Sequence, residues 1–489
     1  MDAIEARPQI AFAIFLLLHF TVWTALPALL YPNLPLDLIE ARTYGREWQL
    51  GYDKLPPLPW WLVEITYRVA GRDLFYYALA QTAVVLACVF VWMPARRIVG
   101  PLRALAAILI LDGLHYVHFT AAKFNHDVIQ LPFWALAGYS YWAALRSGRL
   151  IHWLLLGLAI GGALWAKYFV VVLAFPLVLF LLVDKDARRH LRTPGPYLAL
   201  GTALIVAAPH LVWLVQHDFL PFRYADARAV TARGPLDHIW HPLRFALGQF
   251  AFLLPALLIA GAALWPRPLA GDEANAPVPD RMDRRILTLL AFGPVATVLA
   301  LSAITGRGAI AMWGYPLWLF LGVWIVMPLA IGRQRLARLT ATWAVVFCIF
   351  AATFLVTYAV LPRFDGRYRA VFFPGDRLAA ELSQRFRAAT GQPLAYVIAD
   401  MFTGGNVAHY APEHPRNLID GEPGRGPWID LTDLKKRGAV VVWTEADTAN
   451  VPVRLGALAR GAEVQPPFAL PYRQGRGEAR FGWAIVRPN

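Results

Sequence analysis

Between two apolar stretches near the start of the chain lies "LPLDLIEARTYGREWQLGYDKLPPLPWW", residues 34 to 61, with Asp37, Glu40, Asp53 and Lys54 set among tryptophans and prolines. A carboxylate accepts a proton from an attacking hydroxyl, and lysine or arginine neutralises phosphate, so these residue types together suit group transfer to or from a phosphate. Asp37 and Glu40 are three apart and share a face if residues 37 to 49 form a helix. Further along, "TAAKFNHDVIQ" holds Lys123, Asn125, His126 and Asp127, and "GGALWAKYF" places Lys167 between two apolar runs. "HDFLPFRYADARA" adds Arg223, Tyr224 and Asp226, and "TGRGAIAMWGYP" adds Arg307.

The elements that must position these groups are membrane helices. With 58% hydrophobic and only 16% charged residues over 489 positions, the chain is too apolar for a soluble protein. Eleven windows are apolar enough to cross about 30 Å of hydrocarbon as helix: 9 to 31, 74 to 93, 101 to 118, 128 to 145, 150 to 166, 168 to 183, 195 to 216, 244 to 264, 286 to 304, 313 to 331 and 339 to 361. The first reads as an anchor and not a cleaved signal, because Asp2, Glu5 and Arg7 form no basic cluster before a long apolar run.

Every second connection is basic, for instance Arg96, Arg97 and Arg103, then Arg146 and Arg149, then Arg267, Arg281, Arg284 and Arg285. The positive-inside rule puts these loops and the amino terminus on the cytoplasmic side. The first loop, 32 to 73, and everything after residue 362 then face outward; in the bacterial inner membrane of the family named below, that side is the periplasm. The net charge of +14 follows from topology and contact with anionic lipids, with no nucleic-acid partner implied. Cys88 and Cys348 both fall inside expected spans, which disfavours a disulfide or a thiol metal site.

On the periplasmic side the first loop should hold an interfacial helix over 37 to 49 and a second amphipathic run in "WWLVEITYRVAG". After residue 362 charged residues return, with short β-like runs at 394 to 400, 439 to 445 and 481 to 488, and helical patterns at 375 to 389 and 430 to 437. A periplasmic α/β domain over 363–489 follows, beside a membrane part over 1–362. In it, "TGGNVAHYAPEHP" reads as a glycine turn at Gly404 and Gly405, with His409 nearby.

Acidic and basic groups gathered at one membrane face suit a substrate that is part lipid and part phosphate. A transporter or flippase of lipid-linked sugars is the alternative, to which Asp112 and His115 in the third span would contribute; a buried, internally satisfied Asp-His pair is the plainer account. Transport predicts matching halves, and the chain shows no internal repeat.

The order Asp37-x-x-Glu40, "GREWQLGYDKLPPLPWWL", "AAKFNHDVIQLPFWAL", "GLAIGGALWAKY" and "MWGYPLWLF" resembles the bacterial polytopic glycosyltransferases of the GT-C fold, relatives of protein O-mannosyltransferases and lipid A aminoarabinose transferases. The resemblance implies transfer of a sugar from a polyprenyl-phosphate donor to a lipid or glycan acceptor at the periplasmic face. By the same likeness Asp37 is the catalytic carboxylate, with Glu40 the runner-up. It gives donor-phosphate and substrate contacts to Asp53, Lys54, Asp127 or Asn125, Lys167, Arg223 with Tyr224, and Arg307. Two departures stand out: the first-loop carboxylates are separated by Leu38 and Ile39, and Leu55 stands where many relatives have histidine. The implied step is displacement with inversion, and because the leaving group is already a phosphate, a divalent cation is useful but not required.

Overall fold

The computed structural model describes residues 6–264 and 277–489, the side chains of residues 227 and 228 excepted. Asp2, Glu5 and Arg267 lie outside the described residues. In chain order the helices are α1 (Pro8–Leu30), α2 (Leu36–Gly45), α3 (Leu58–Ala70), α4 (Leu74–Ile98), α5 (Pro101–Leu111), α6 (His126–Ser147), α7 (Leu150–Ala166), α8 (Val171–Val183), α9 (Gly195–Gln216), α10 (Leu220–Arg228), α11 (Asp237–Leu264), α12 (Arg281–Thr305), α13 (Leu321–Val326) and α14 (Arg333–Leu355). After them come α15 (Gly375–Thr390), β1 (Tyr396–Ala399), α16 (Met401–Tyr410), β2 (Arg416–Ile419), α17 (Leu431–Arg437), β3 (Ala439–Trp443), α18 (Gly456–Arg460), β4 (Glu463–Pro471) and β5 (Glu478–Val486).

The chain is a mostly helical, multi-pass membrane protein. Among the described residues six helices are long and apolar enough to cross a bilayer: α1, α4, α9, α11, α12 and the stretch Arg333–Arg363 that includes α14. Their outer faces are apolar, the reverse of a soluble helix; on α9, Leu200, Leu204, Ile205 and Val212 are all exposed. Of the other five expected windows, 128 to 145 lies whole within the 22-residue α6, 150 to 166 is α7, and 168 to 183 is a 3₁₀ turn followed by α8. The third ends as α-helix at Leu111, and the tenth keeps only α13 between turns. That early end overturns the expected pairing of Asp112 with His115: the chain turns at Asp112 and Gly113, so the two do not share a helical face, and His115 stacks on Phe119 with ring centroids 5.3 Å apart.

By contact the chain forms two compact units. The first takes in residues up to Ala25, Lys54–Leu58 and Tyr77–Ala352; the second takes in Leu26–Asp53, Pro59–Tyr76 and Thr353–Asn489. In the first unit, Gly157 and Gly161 let α7 lie against α9: a Cβ on Gly161 would stand 2.8 Å from Val206 Cβ, and one on Gly157 would strike the Ala199 carbonyl. Small residues four apart are the usual means of close helix approach in lipid. The motif "GLAIGG" is thus explained by packing.

The second unit is built on a five-stranded sheet of order β2-β1-β3-β5-β4, with β2, β1 and β3 parallel and β5 and β4 antiparallel. Strand β3, "AVVVW", is buried along its whole length, as a central strand covered on both faces must be. Its alternation divides the core: Val440 and Val442 pack with Leu382, Phe386 and Phe481, while Val441 and Trp443 pack with Leu418, Leu434 and Leu455. Helix α15 buries Leu378, Ala379, Leu382 and Phe386 on one stripe, each large side chain contributing about 1.5–3 kcal/mol, and closes on Gly391 at φ 69°. Residues 401–410 are helix and not a glycine turn. Asp400 caps α16, and Gly405 exists for contact, since a Cβ there would stand 2.6 Å from Ile39 Cγ2 of α2.

Candidate active site

In the first unit the start of α6 sets the geometry. Asn125 caps the helix, its Oδ1 accepting from the Asp127 and Val128 amides at 3.0 and 3.1 Å. The cap holds Asp127 in the first turn, where its Oδ1 lies 2.6 Å from Lys167 Nζ and accepts from Gln130 Nε2 at 3.0 Å. Lys167 is extended at the residue where α7 stops and a 3₁₀ turn, Tyr168–Val170, begins. It is 9% exposed, and its Nζ lies 5.8 Å from the Phe169 ring and 5.9 Å from the Trp313 ring. An ammonium in such aromatic surroundings is strongly felt by any anion that replaces its carboxylate partner.

The same helix start reaches the Lys54 segment. His126, beside the cap, is buried and places Nε2 3.0 Å from the Pro56 carbonyl. As a donor there it tethers the stretch that carries Lys54, whose Nζ lies 5.3 Å from the Tyr224 ring on α10. Asp226, half a turn beyond Tyr224, forms an ion pair with Arg307, and Arg223 is exposed. So this unit brings Lys54, Asn125, Asp127 and Lys167 into one connected arrangement and pairs Tyr224 with Lys54. Tyr224 is joined to Arg307 along α10 through Asp226. Gln130 and Trp313 are the residues that the sequence does not single out, and His126 is noted in it without a role. The signal available was "NHD", in which a cap residue is followed by two side chains held by the first turn.

In the second unit Asp37 and Glu40 lie one turn apart on α2, both half-buried, while Leu38, Ile39, Ala41 and Tyr44 of that helix are buried. Asp53 is held by two donors: the Tyr44 hydroxyl at 2.6 Å and Arg425 Nε at 2.9 Å. Burial, with the Asp53 charge second, pushes the Tyr44 phenol well above its ordinary value, so it stays a donor. Arg425 also pairs with Asp420, which accepts from Arg454 Nη1 at 2.9 Å. Arg42 pairs with Glu64, lies 3.4 Å from the Tyr67 ring centroid and donates to His409 Nδ1 at 3.3 Å. His409 therefore takes part in packing α16 against α2.

Comparison with known proteins places this geometry. Residues 54–213, which hold Lys54, Asn125, Asp127 and Lys167, match the family described as dolichyl-phosphate-mannose-protein mannosyltransferase. Two Rhizobium johnstonii proteins, the lipopolysaccharide core galacturonosyltransferases RgtB and RgtA, are 27% and 25% identical, the first over 92% of both chains and the second over 96%. The crystal structure of ArnT from Cupriavidus metallidurans bound to undecaprenyl phosphate has the same fold, with a TM-score of 0.65, 14% identity and 98% coverage of both chains. The chain is a membrane glycosyltransferase of the GT-C fold.

Proposed function

We propose that the chain moves a sugar, with inversion, from a polyprenyl-phosphate-linked donor to a lipopolysaccharide or lipid A acceptor at the periplasmic face of the inner membrane. The observation that carries this reading is the likeness, along nearly the whole chain, to two lipopolysaccharide core galacturonosyltransferases. It makes a polyprenyl-phosphate-linked galacturonic acid the first donor to try. In this reading the amino terminus is cytoplasmic, eleven segments cross the membrane, and the α/β domain over 363–489 is periplasmic with the 32–73 loop.

The acceptor oxygen attacks the anomeric carbon, the bond from that carbon to the phosphate oxygen breaks, and polyprenyl phosphate departs with the electron pair. Asp37 takes the acceptor proton, with Glu40 as the alternative one turn away. Lys54 and Lys167 stabilise the departing phosphate, and supporting this is the way Lys54 lies against the Tyr224 ring and Lys167 near the Phe169 and Trp313 rings, with the segment of each tied to the start of α6. Asn125 and Asp127 position Lys167, Asp53 steadies the segment leading to Lys54, and Arg223, Tyr224 and Arg307 add donor contacts.

The test is donor consumption by purified protein in detergent. Asp37→Asn should lose about 100- to 10,000-fold in rate, as expected for removal of a positioned base. Undiminished turnover would transfer the role to Glu40, checked with Glu40→Gln. Failure to consume any polyprenyl-phosphate sugar, galacturonic acid and aminoarabinose included, would overturn the transferase reading.

A further inference from the structure

The first unit holds a buried polar cluster that the transfer chemistry does not use. His19 of α1, Asp112 at the end of α5 and His118 beyond the following turn are all buried, and one donor atom from each lies within 4.8 Å of the others. His19 Nδ1 is 2.7 Å, and His118 Nε2 3.3 Å, from one and the same oxygen, Asp112 Oδ1. The other carboxylate oxygen accepts from the Trp343 indole at 2.6 Å.

The far nitrogen of each ring decides the state of the near one. Gln81 Nε2 donates to the Ala121 carbonyl at 2.9 Å, which turns Gln81 Oε1 toward His19 Nε2 at 3.2 Å. An amide oxygen there requires the proton on Nε2. His118 Nδ1 lies 3.2 Å from the Leu114 carbonyl and is a donor for the same reason. In the neutral rings the near nitrogens, His19 Nδ1 and His118 Nε2, therefore carry lone pairs. Both are buried and neither makes an aligned hydrogen bond. Two lone pairs and a carboxylate crowded together away from water require positive charge. A single proton on His19 would pair it with Asp112 but leave the His118 Nε2 lone pair facing the same carboxylate oxygen at 3.3 Å, and protonating both rings would bury two imidazolium ions against one carboxylate, at several kcal/mol per ion.

We propose that His19, Asp112 and His118 bind a divalent transition-metal ion, for which zinc is the best-fitting class. Two imidazole nitrogens and one carboxylate oxygen are ordinary zinc ligands at about 2.0–2.2 Å, and two such bonds at a tetrahedral angle put donor atoms roughly 3.3 Å apart. Each ligand already has its outer support: Gln81 for His19, the Leu114 carbonyl for His118 and Trp343 for Asp112, the pattern that fixes tautomer and orientation at metal sites. The Trp23 and Phe350 rings, each with its centroid 4.7 Å from that of His118, keep water away. The ion fastens α1 to the chain at the end of α5, a structural role.

The experiment is elemental analysis of protein purified in detergent without a histidine tag, incubated with zinc and then dialysed against metal-free buffer. Wild type should retain about one zinc per chain. Asp112→Asn and His118→Gln should retain at least about five-fold less, while His115→Gln, three residues from His118 and outside the cluster, should match wild type. Because the triad variants test folding as well as binding, X-ray absorption at the zinc edge of wild type supplies an independent reading, with scattering from two imidazoles expected. Wild type without retained metal, triad variants that retain as much as wild type, or an absorption spectrum without imidazole would each overturn the proposal, the first assigning the cluster to protons alone.

Discussion

The two units handle charge differently. In the first, the central ion pair is solitary and nearly dry: among the described residues Asp127 is the carboxylate partner of Lys167, and their side chains are 15% and 11% exposed. In the second, the ionisable groups form a chain in which most have two partners, running from Tyr44 through Asp53, Arg425, Asp420 and Arg454 to Glu445. A solitary buried pair concentrates its energetics in two residues, since deleting either strands a charge in a low-dielectric site. A chain spreads them, since each deletion leaves the neighbours another partner. A lysine meant to change partners during a reaction belongs in the first arrangement, and a scaffold belongs in the second.

The largest effect should come from breaking the solitary pair. Lys167→Met should destabilise the protein by about 3 kcal/mol in detergent, read by thermal unfolding, because among the described residues Asp127 keeps its charge and, as side-chain donor, Gln130. The double variant Lys167→Met with Asp127→Leu should recover a large part of that loss. If Lys167→Met melts with wild type, the pair is not an isolated one.

Next in size is a pH effect confined to the second unit. Burial, then the nearby Arg42 and His414 charges, pull the His409 imidazole down from its ordinary 6.5 to about 3. Between these values the unfolded chain binds a proton that the folded one refuses, so stability is present above pH 6.5 and falls as pH drops through the window. From pH 7 to pH 5 the loss from this one group should be about 2 kcal/mol. His409→Gln should flatten the dependence by that amount. An unchanged slope in the variant would show that His409 is not the group responsible.

These two regions were unequally legible in the sequence. Asp37 and Glu40 on one turn of helix, and the β-like runs that became β1, β3 and β5, were readable because helical spacing and strand composition are local. The partners of Asp53 were not, because Arg425 lies 372 residues away and only the folded chain joins them. Asn125 is a subtler case. Its residue type fitted both a substrate contact and a helix cap, and the cap claims its Oδ1. Gly405 likewise looked like a turn because glycine favours turns, whereas here the absent Cβ makes room for Ile39. The third window misled for a physical reason too: hydropathy continues past Leu111, but Gly113 and the demands of the buried Asp112 end the helix there.

A smaller loss tests the chained arrangement itself. Arg425→Met should destabilise by about 1 kcal/mol, because Tyr44 still donates to Asp53 and Arg454 still serves Asp420. A loss as large as that of Lys167→Met would erase the distinction between the two units.

The smallest stability effect belongs to Arg307, and it separates structure from function most cleanly. Arg307 and Asp226 form an ion pair with side chains 44% and 61% exposed. Exposed pairs of this kind contribute about 0–1 kcal/mol, so Arg307→Gln should shift thermal unfolding by no more than that. If Arg307 instead leaves Asp226 to meet the donor phosphate, the same variant loses a charge-assisted hydrogen bond worth about 1.5–3 kcal/mol, and KM for the donor should rise roughly tenfold or more. Asp226→Asn provides the opposite control: it frees the guanidinium, so donor KM should hold steady or fall. A rise in both variants would mean that the pair as a unit, and not the arginine alone, shapes the surface beside Tyr224.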